Sequence, residues 1–167
     1  MRCVFTILFL VLAVSSSQGG TCPVPSGPEA AVKGYLTAMQ KLRFDDAYKF
    51  VTENMTDGKS MKEWGLLQQY FYLGGEVIIF GISVRNAIST EGDPQCISVA
   101  TVPNVLKSRD KFNNQGTTEF ELYWVIKDGE GWKVDSLEVL FDKKRIESWF
   151  PGDHIPEFWD QHPSSDY

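Results

Sequence analysis

The stretch Thr118-Glu119-Phe120-Glu121-Leu122-Tyr123-Trp124-Val125-Ile126-Lys127 sets large apolar side chains between charged ones. Successive side chains of a strand point to opposite faces, so Thr118, Phe120, Leu122, Trp124 and Ile126 share one face. Glu119, Glu121 and Lys127 share the other, and the alternation predicts a half-buried strand with both glutamates in solvent. Asp128-Gly129-Glu130-Gly131 then reads as a hairpin into a strand from Trp132 to about Phe141. Upstream, Asn113-Asn114-Gln115-Gly116 is turn chemistry. Before it, Ile97, Val99, Thr101 and Val105 alternate through a strand over 96–106, and Ile78, Phe80, Ile82 and Val84 through one that ends before Glu91-Gly92-Asp93-Pro94. Consecutive strands joined by short turns predict an antiparallel meander.

Ahead of Gly75 the apolar period is near 3.6. Ser26-Gly27-Pro28-Glu29 is a helix start, with a capping serine, a proline suited to the first turn and a glutamate three residues on. Val32, Tyr35, Leu36, Met39 and Leu42 form its stripe. A short second helix is expected from Asp45, burying Ala47, Phe50 and Val51. Ser60-Met61-Lys62-Glu63 repeats the capping pattern before a third stripe of Trp64, Leu67, Gln68 and Phe71, with Gly74-Gly75 as the stop. Helices first and sheet second describe an α+β domain. Arg145, Ile146, Trp149 and Phe150 suggest one more helical turn before Pro151-Gly152, and residues 151–167 read as an acidic, aromatic, partly disordered tail.

The first twenty residues carry a different signal. Met1-Arg2 supplies one positive charge, an uncharged apolar run covers 4–14, and small residues follow at Ser15, Ser16, Ser17, Gly19 and Gly20. That is the layout of a secretory signal peptide, expected over 1–20, and the apolar run is shorter than the ~20 residues of a membrane span. The expected product is extracellular, a single domain over 21–150 followed by the tail, with no membrane contact after cleavage. Cleavage leaves Cys22 and Cys96, which in an oxidising compartment most simply form one disulfide. A lipid-modified Cys22 is disfavoured because Gly19-Gly20-Thr21 offers no aliphatic residue ahead of it. Asn54-Met55-Thr56 is an N-glycosylation sequon.

Composition sets the outer limits. The chain has 167 residues, is 43% hydrophobic and 23% charged, and carries a formal net charge of −6, which excludes a low-complexity chain and argues against nucleic acid as a partner. Arg2 departs with the signal while every Asp and Glu follows it, so the mature charge is −7.

Two segments carry a resemblance to a known superfamily. Phe44-Asp45-Asp46-Ala47-Tyr48-Lys49-Phe50 is similar to the short second helix of NTF2-like (SnoaL-like) domains. Asp128-Gly129-Glu130-Gly131-Trp132-Lys133-Val134 resembles their closing hairpin. The resemblance spans roughly 28–141 and implies a cone: N-terminal helices packed in a curved antiparallel sheet. It implies inward positions at Tyr35, Met39, Trp64, Phe71, Phe120, Leu122, Trp124 and Trp132, forming either a pocket for a small apolar ligand or a filled core. It also implies a homodimer through the outer sheet face.

Catalytic chemistry on this fold generally uses an acid, a carboxylate or a histidine inside the cone. Both histidines, His154 and His162, lie in the tail, so no histidine-based dyad or metal site is expected in the cone, and no cofactor is expected. Asp45 and Asp46 fit helix capping, and Asp135 points outward unless a bulge intervenes. Glu138, on the parity of Trp132, is the one carboxylate the pattern offers to the interior and the single weak catalytic candidate. The expectation is a secreted binding or interaction module without catalytic residues. Two alternatives stand beside it: a SnoaL-like isomerase, dehydratase or hydrolase on a small organic substrate, using Glu138 or a tyrosine such as Tyr35, and an acidic extracellular matrix component.

Overall fold

The computed structural model describes residues 27–91, 98–129 and 131–156. Four helices come first, α1 (Pro28–Gln40), α2 (Phe44–Tyr48), α3 (Glu53–Thr56) and α4 (Met61–Gly75). Five strands follow, β1 (Ile78–Val84), β2 (Ile88–Glu91), β3 (Val99–Arg109), β4 (Thr117–Asp128) and β5 (Gly131–Leu140), and then a short helix, α5 (Lys143–Trp149). The strands pair antiparallel in the order β1-β3-β4-β5, with β2 continuing the line of β1 along the same edge of β3. This is the expected α+β architecture, an NTF2-like cone with helices held in a curved sheet.

Helix starts follow local chemistry. Ser60 and Glu63 form the predicted reciprocal cap on α4. At α1 the cap position is Gly27, which contributes no side-chain bond, while Pro28 opens the first turn; Ser26 lies outside the described residues. The expected glycine stop after α4 is displaced. Gly74 and Gly75 stay helical, and the left-handed cap residue is Glu76 at φ 55°.

The main core lies between α1 and the inner sheet face. It is built from Val32, Tyr35, Leu36 and Met39 of α1, Trp64 of α4, and Ala100, Val102, Tyr123, Val125, Trp132 and Val134 of the sheet. Phe50-Val51-Thr52 runs along β5 and bonds it through Val134 N–H to Phe50 O and Thr52 N–H to Val134 O. That covers a sheet edge otherwise left open to pairing.

A second core occupies the other face. Val105, Phe120, Leu122 and Leu140 pack against Ile146 of α5 and Phe150, with Trp124 at the margin. The strand quoted above therefore turns over relative to expectation. Phe120, Leu122 and Trp124 point away from the cone, while Glu121, Tyr123 and Val125 point into it. The same inversion runs through β3, where Ala100, Val102, Asn104 and Leu106 stand opposite Val125, Tyr123, Glu121 and Glu119. In β5 the register shifts by one residue at Asp135, between the pairs Trp124↔Ser136 and Val125↔Val134. This bulge keeps Trp132 and Val134 inward and turns Glu138 and Leu140 outward.

Candidate functional site

Glu121 marks the site. It is 3% exposed, in the middle of the longest strand, on the face enclosed by the helices. Its Oε2 accepts two hydrogen bonds, from Asn104 Nδ2 at 2.7 Å and from the Tyr123 hydroxyl at 3.0 Å. Both donors fall on one oxygen. Asn104 sits directly across the ladder from Glu121 and is itself pinned, its Oδ1 accepting from Ser83 N–H at 3.1 Å. The neutral amide thus holds the carboxylate in place without neutralising it.

Burial dominates the electrostatics. It pushes the Glu121 carboxyl up to about 7, against the pull of the Asn104 and Tyr123 hydrogen bonds and with a further push from the charge of Glu119. Glu119 is raised as well, first by burial and then by Asp110. The neighbouring phenols move the same way. Burial holds Tyr72 of α4 up at about 12, with Glu121 and Glu119 adding to it. Tyr35 and Tyr123 lie well above the usual phenol range for the same first cause. Tyr35 and Tyr123 meet edge to face with ring centroids 6.2 Å apart. The arrangement is one carboxyl able to take or hold a proton near neutrality, among phenols that stay protonated.

This overturns the expectation that both glutamates lie in solvent, and it makes Glu121 rather than Glu138 the carboxylate of the interior. The signal was present in the strand itself: Tyr123 and Val125 share the parity of Glu121, and a face with those residues is not a solvated one.

The other site expectations divide. Tyr35, Met39, Trp64 and Trp132 sit in the cone core. Phe71 lies outside it, 56% exposed on the outer side of α4, because Trp64, Gln68 and Tyr72 form the inward stripe there. Phe120, Leu122 and Trp124 belong to the second core and line no part of the cone. Glu138 is not an interior acid. It forms two parallel hydrogen bonds with the Arg145 guanidinium on the outer face, which hold its carboxyl below the usual range. Asn54 is exposed on α3, and its Nδ2 donates to Asp135 O and Oδ2, both at 3.1 Å. Cys22 and Cys96 lie outside the described residues.

The indole Nε1 of Trp132 is fully buried, and among the described residues it has no acceptor. Elsewhere, a cleft of about 800 Å³ runs between α2 and α4, lined by Leu42, Phe44, Asp45, Met61, Leu66 and Leu73 among others. Among the described residues no group of three or more His, Cys, Asp or Glu could hold a metal ion. No described helix is long and apolar enough to cross a membrane.

Helices first and a curved antiparallel sheet second is the order that the NTF2-like resemblance implies. No protein-family model and no curated protein sequence matches the chain. Solved structures do. A SEC-C motif containing protein of Rhodopseudomonas palustris is 16% identical at a TM-score of 0.51, over 68% of this chain and 78% of that one. A Nostoc punctiforme domain of unknown function with a cystatin-like fold is 15% identical at 0.50, over 81% and 85%. An NTF2-like protein of Cytophaga hutchinsonii is 14% identical at 0.45, over 66% and 91%. The match to Bdellovibrio bacteriovorus Bd1075 takes in 38% of that chain. At these identities the likeness concerns the fold alone.

Proposed function

We propose that the chain is an exported NTF2-like binding module whose cone takes a small, mainly apolar molecule bearing one hydrogen-bond donor, which meets the carboxylate of Glu121. Export rests on the signal-peptide pattern of residues 1–20. The single observation behind the binding reading is the buried carboxylate of Glu121, held inside the cone by two donors on Oε2. A carboxyl placed in an apolar core lowers stability unless every lone pair is met. A ligand donor would meet the carboxylate, and the rest of the molecule would pack against Tyr35 and Tyr123.

The test is titration of the full secreted protein with a 4-alkylphenol series at pH 8, followed by tryptophan fluorescence, together with native mass spectrometry of the protein as purified. Saturable binding that Glu121→Leu abolishes supports the reading. Absence of binding, or binding that Glu121→Leu leaves unchanged, defeats it.

A second reading has one observation in its favour. A carboxyl titrating near 7 is matched to proton transfer at neutral pH, which fits an isomerase, dehydratase or hydrolase acting on a small organic substrate. Glu121→Gln separates the two, since the amide oxygen still accepts a hydrogen bond but cannot carry the proton. Retained ligand binding with lost turnover would establish the enzyme.

A further inference from the structure

The outer side of α4 is apolar where a helix facing water is ordinarily polar. Leu66, Leu67, Tyr70, Phe71 and Leu73 all lie on it, and Leu42 and Met61 flank it, each between 37% and 74% exposed. Residues 64–75 contain no charged side chain. Tyr70 and Phe71 stand as a ready edge-to-face pair, centroids 5.8 Å apart. Beside this ridge runs the cleft between α4 and α2, whose apolar lining includes Leu42, Leu66 and Leu73.

We propose that this face is the contact surface of a homodimer, with the Tyr70–Phe71 ridge of one copy seated in the α2–α4 cleft of the other. Three observations select a second copy. Ridge and cleft are adjacent on one helix, as a two-fold interface requires, so that each copy supplies the ridge to its partner's cleft and receives it in return. The area is sufficient: at ~200 Å² for a large side chain, the seven exposed fractions leave ~700 Å² per copy, close to the ~800 Å² per partner of a stable interface. Charge agrees as well. On a chain of net charge −6, an uncharged ridge and a cleft in which Arg43 and Lys62 balance Asp45 and Asp46 are where two identical acidic molecules meet with least repulsion. The outer sheet face suggested by the family resemblance is less available, because α5 and Phe150 already cover Phe120, Leu122 and Leu140.

Sedimentation velocity of the full secreted protein at up to ~100 µM tests this, a range that brackets the micromolar association expected for ~700 Å² per partner. Twice the chain mass is expected for the wild type. Leu66→Glu and Tyr70→Glu, both at exposed positions, are expected to give monomers with unchanged far-UV circular dichroism. Phe80→Glu, on the exposed outer side of the sheet, is expected to leave the dimer intact. A monomeric wild type overturns the proposal, whether or not it co-sediments with phosphatidylcholine vesicles. So does a dimer that survives both α4 substitutions or is dissolved by Phe80→Glu alone.

Discussion

The outer face of β4 sets Phe120 and Leu122 against Leu140, Ile146 and Phe150, an all-hydrocarbon contact completed by α5. Its inner face, one residue out of phase, sets Glu121 and Tyr123 against Asn104, Tyr35 and Tyr72. Both faces exclude water, yet they do so at opposite cost. The outer face converts buried area into stability at any pH. The inner face spends some of that stability on holding a carboxyl where it is poorly solvated and makes the remainder depend on pH. One strand thus carries a fixed support and a tunable site, separated by the thickness of a sheet.

The largest effect is expected on the support. Phe120→Ala removes a ring that meets Phe150 edge to face at 5.1 Å and leaves a cavity that α5 fills only in part, at a cost of about 3–5 kcal/mol. Urea unfolding at pH 5.5 and at pH 8 is expected to give the same loss, because the ring contacts of the outer cluster do not titrate. A loss that differs strongly between the two pH values would break the separation of the faces.

Glu121 is expected to behave in the opposite way. Its carboxyl sits near 7 in the folded chain against an ordinary value of 4.5, so between those values the folded state binds more protons than the unfolded one. Stability therefore falls as pH rises from about 4.5 to 7 and levels off above, a total on the order of 3 kcal/mol. Glu121→Gln keeps an acceptor for Asn104 and Tyr123 but has no charge to bury. It is expected to stabilise the protein at pH 8 by up to that amount and to flatten this part of the pH profile. A wild-type profile that rises through the same window would show that the carboxyl is ionised far below 7.

The periodicity of β4 was legible without coordinates, whereas the assignment of its faces was not. Alternation identifies two sets of residues, and the usual rule sends the charged set to water. That rule presumes one covered face. Here α5 supplies a second cover, and its short run of Lys143–Trp149 contributes Ile146 as its buried residue, too little sequence to reveal which face it protects. A similar limit applied to α4, where Trp64, Leu67, Gln68 and Phe71 made a plausible stripe. The helix turned by a fraction of a turn to bury Trp64 and Gly65 and to expose Leu67 and Phe71. Caps, turns and the hairpin depend on nearest neighbours and were readable; the side of an element that meets the core depends on what arrives from elsewhere in the chain.

Asn104 sharpens the comparison at a smaller scale. Asn104→Ala deprives Oε2 of its shorter donor and leaves Ser83 N–H without its side-chain acceptor, a cost of about 1–3 kcal/mol. Because that hydrogen bond pulls the Glu121 carboxyl down against burial, its removal is expected to move the titration midpoint above 7. The midpoint is readable from the side-chain carboxyl carbon by NMR. An unmoved midpoint would mean that water replaces the amide, and the site would then be wetter than 3% exposure suggests.

Glu138 supplies the smallest effect and the cleanest contrast. It pairs with Leu122 across the ladder, one residue from the Glu121↔Val139 pair, yet the bulge at Asp135 has placed it on the outer face beside Arg145. With its carboxyl held below the ordinary value by that hydrogen bond, its contribution is present above about 4.5 and fades as pH falls below it, opposite in sign to that of Glu121. Solvent screening of a half-exposed pair keeps the magnitude below ~1 kcal/mol. Glu138→Gln is accordingly expected to shift stability slightly at pH 7, to leave the Glu121 midpoint where it is, and to leave ligand binding unaltered. Two carboxylates on neighbouring strands would then differ in role because one residue of bulge separates the sides of the sheet they occupy. A shift in the Glu121 midpoint on this substitution would show charge felt through the sheet, and the two faces could no longer be treated as independent.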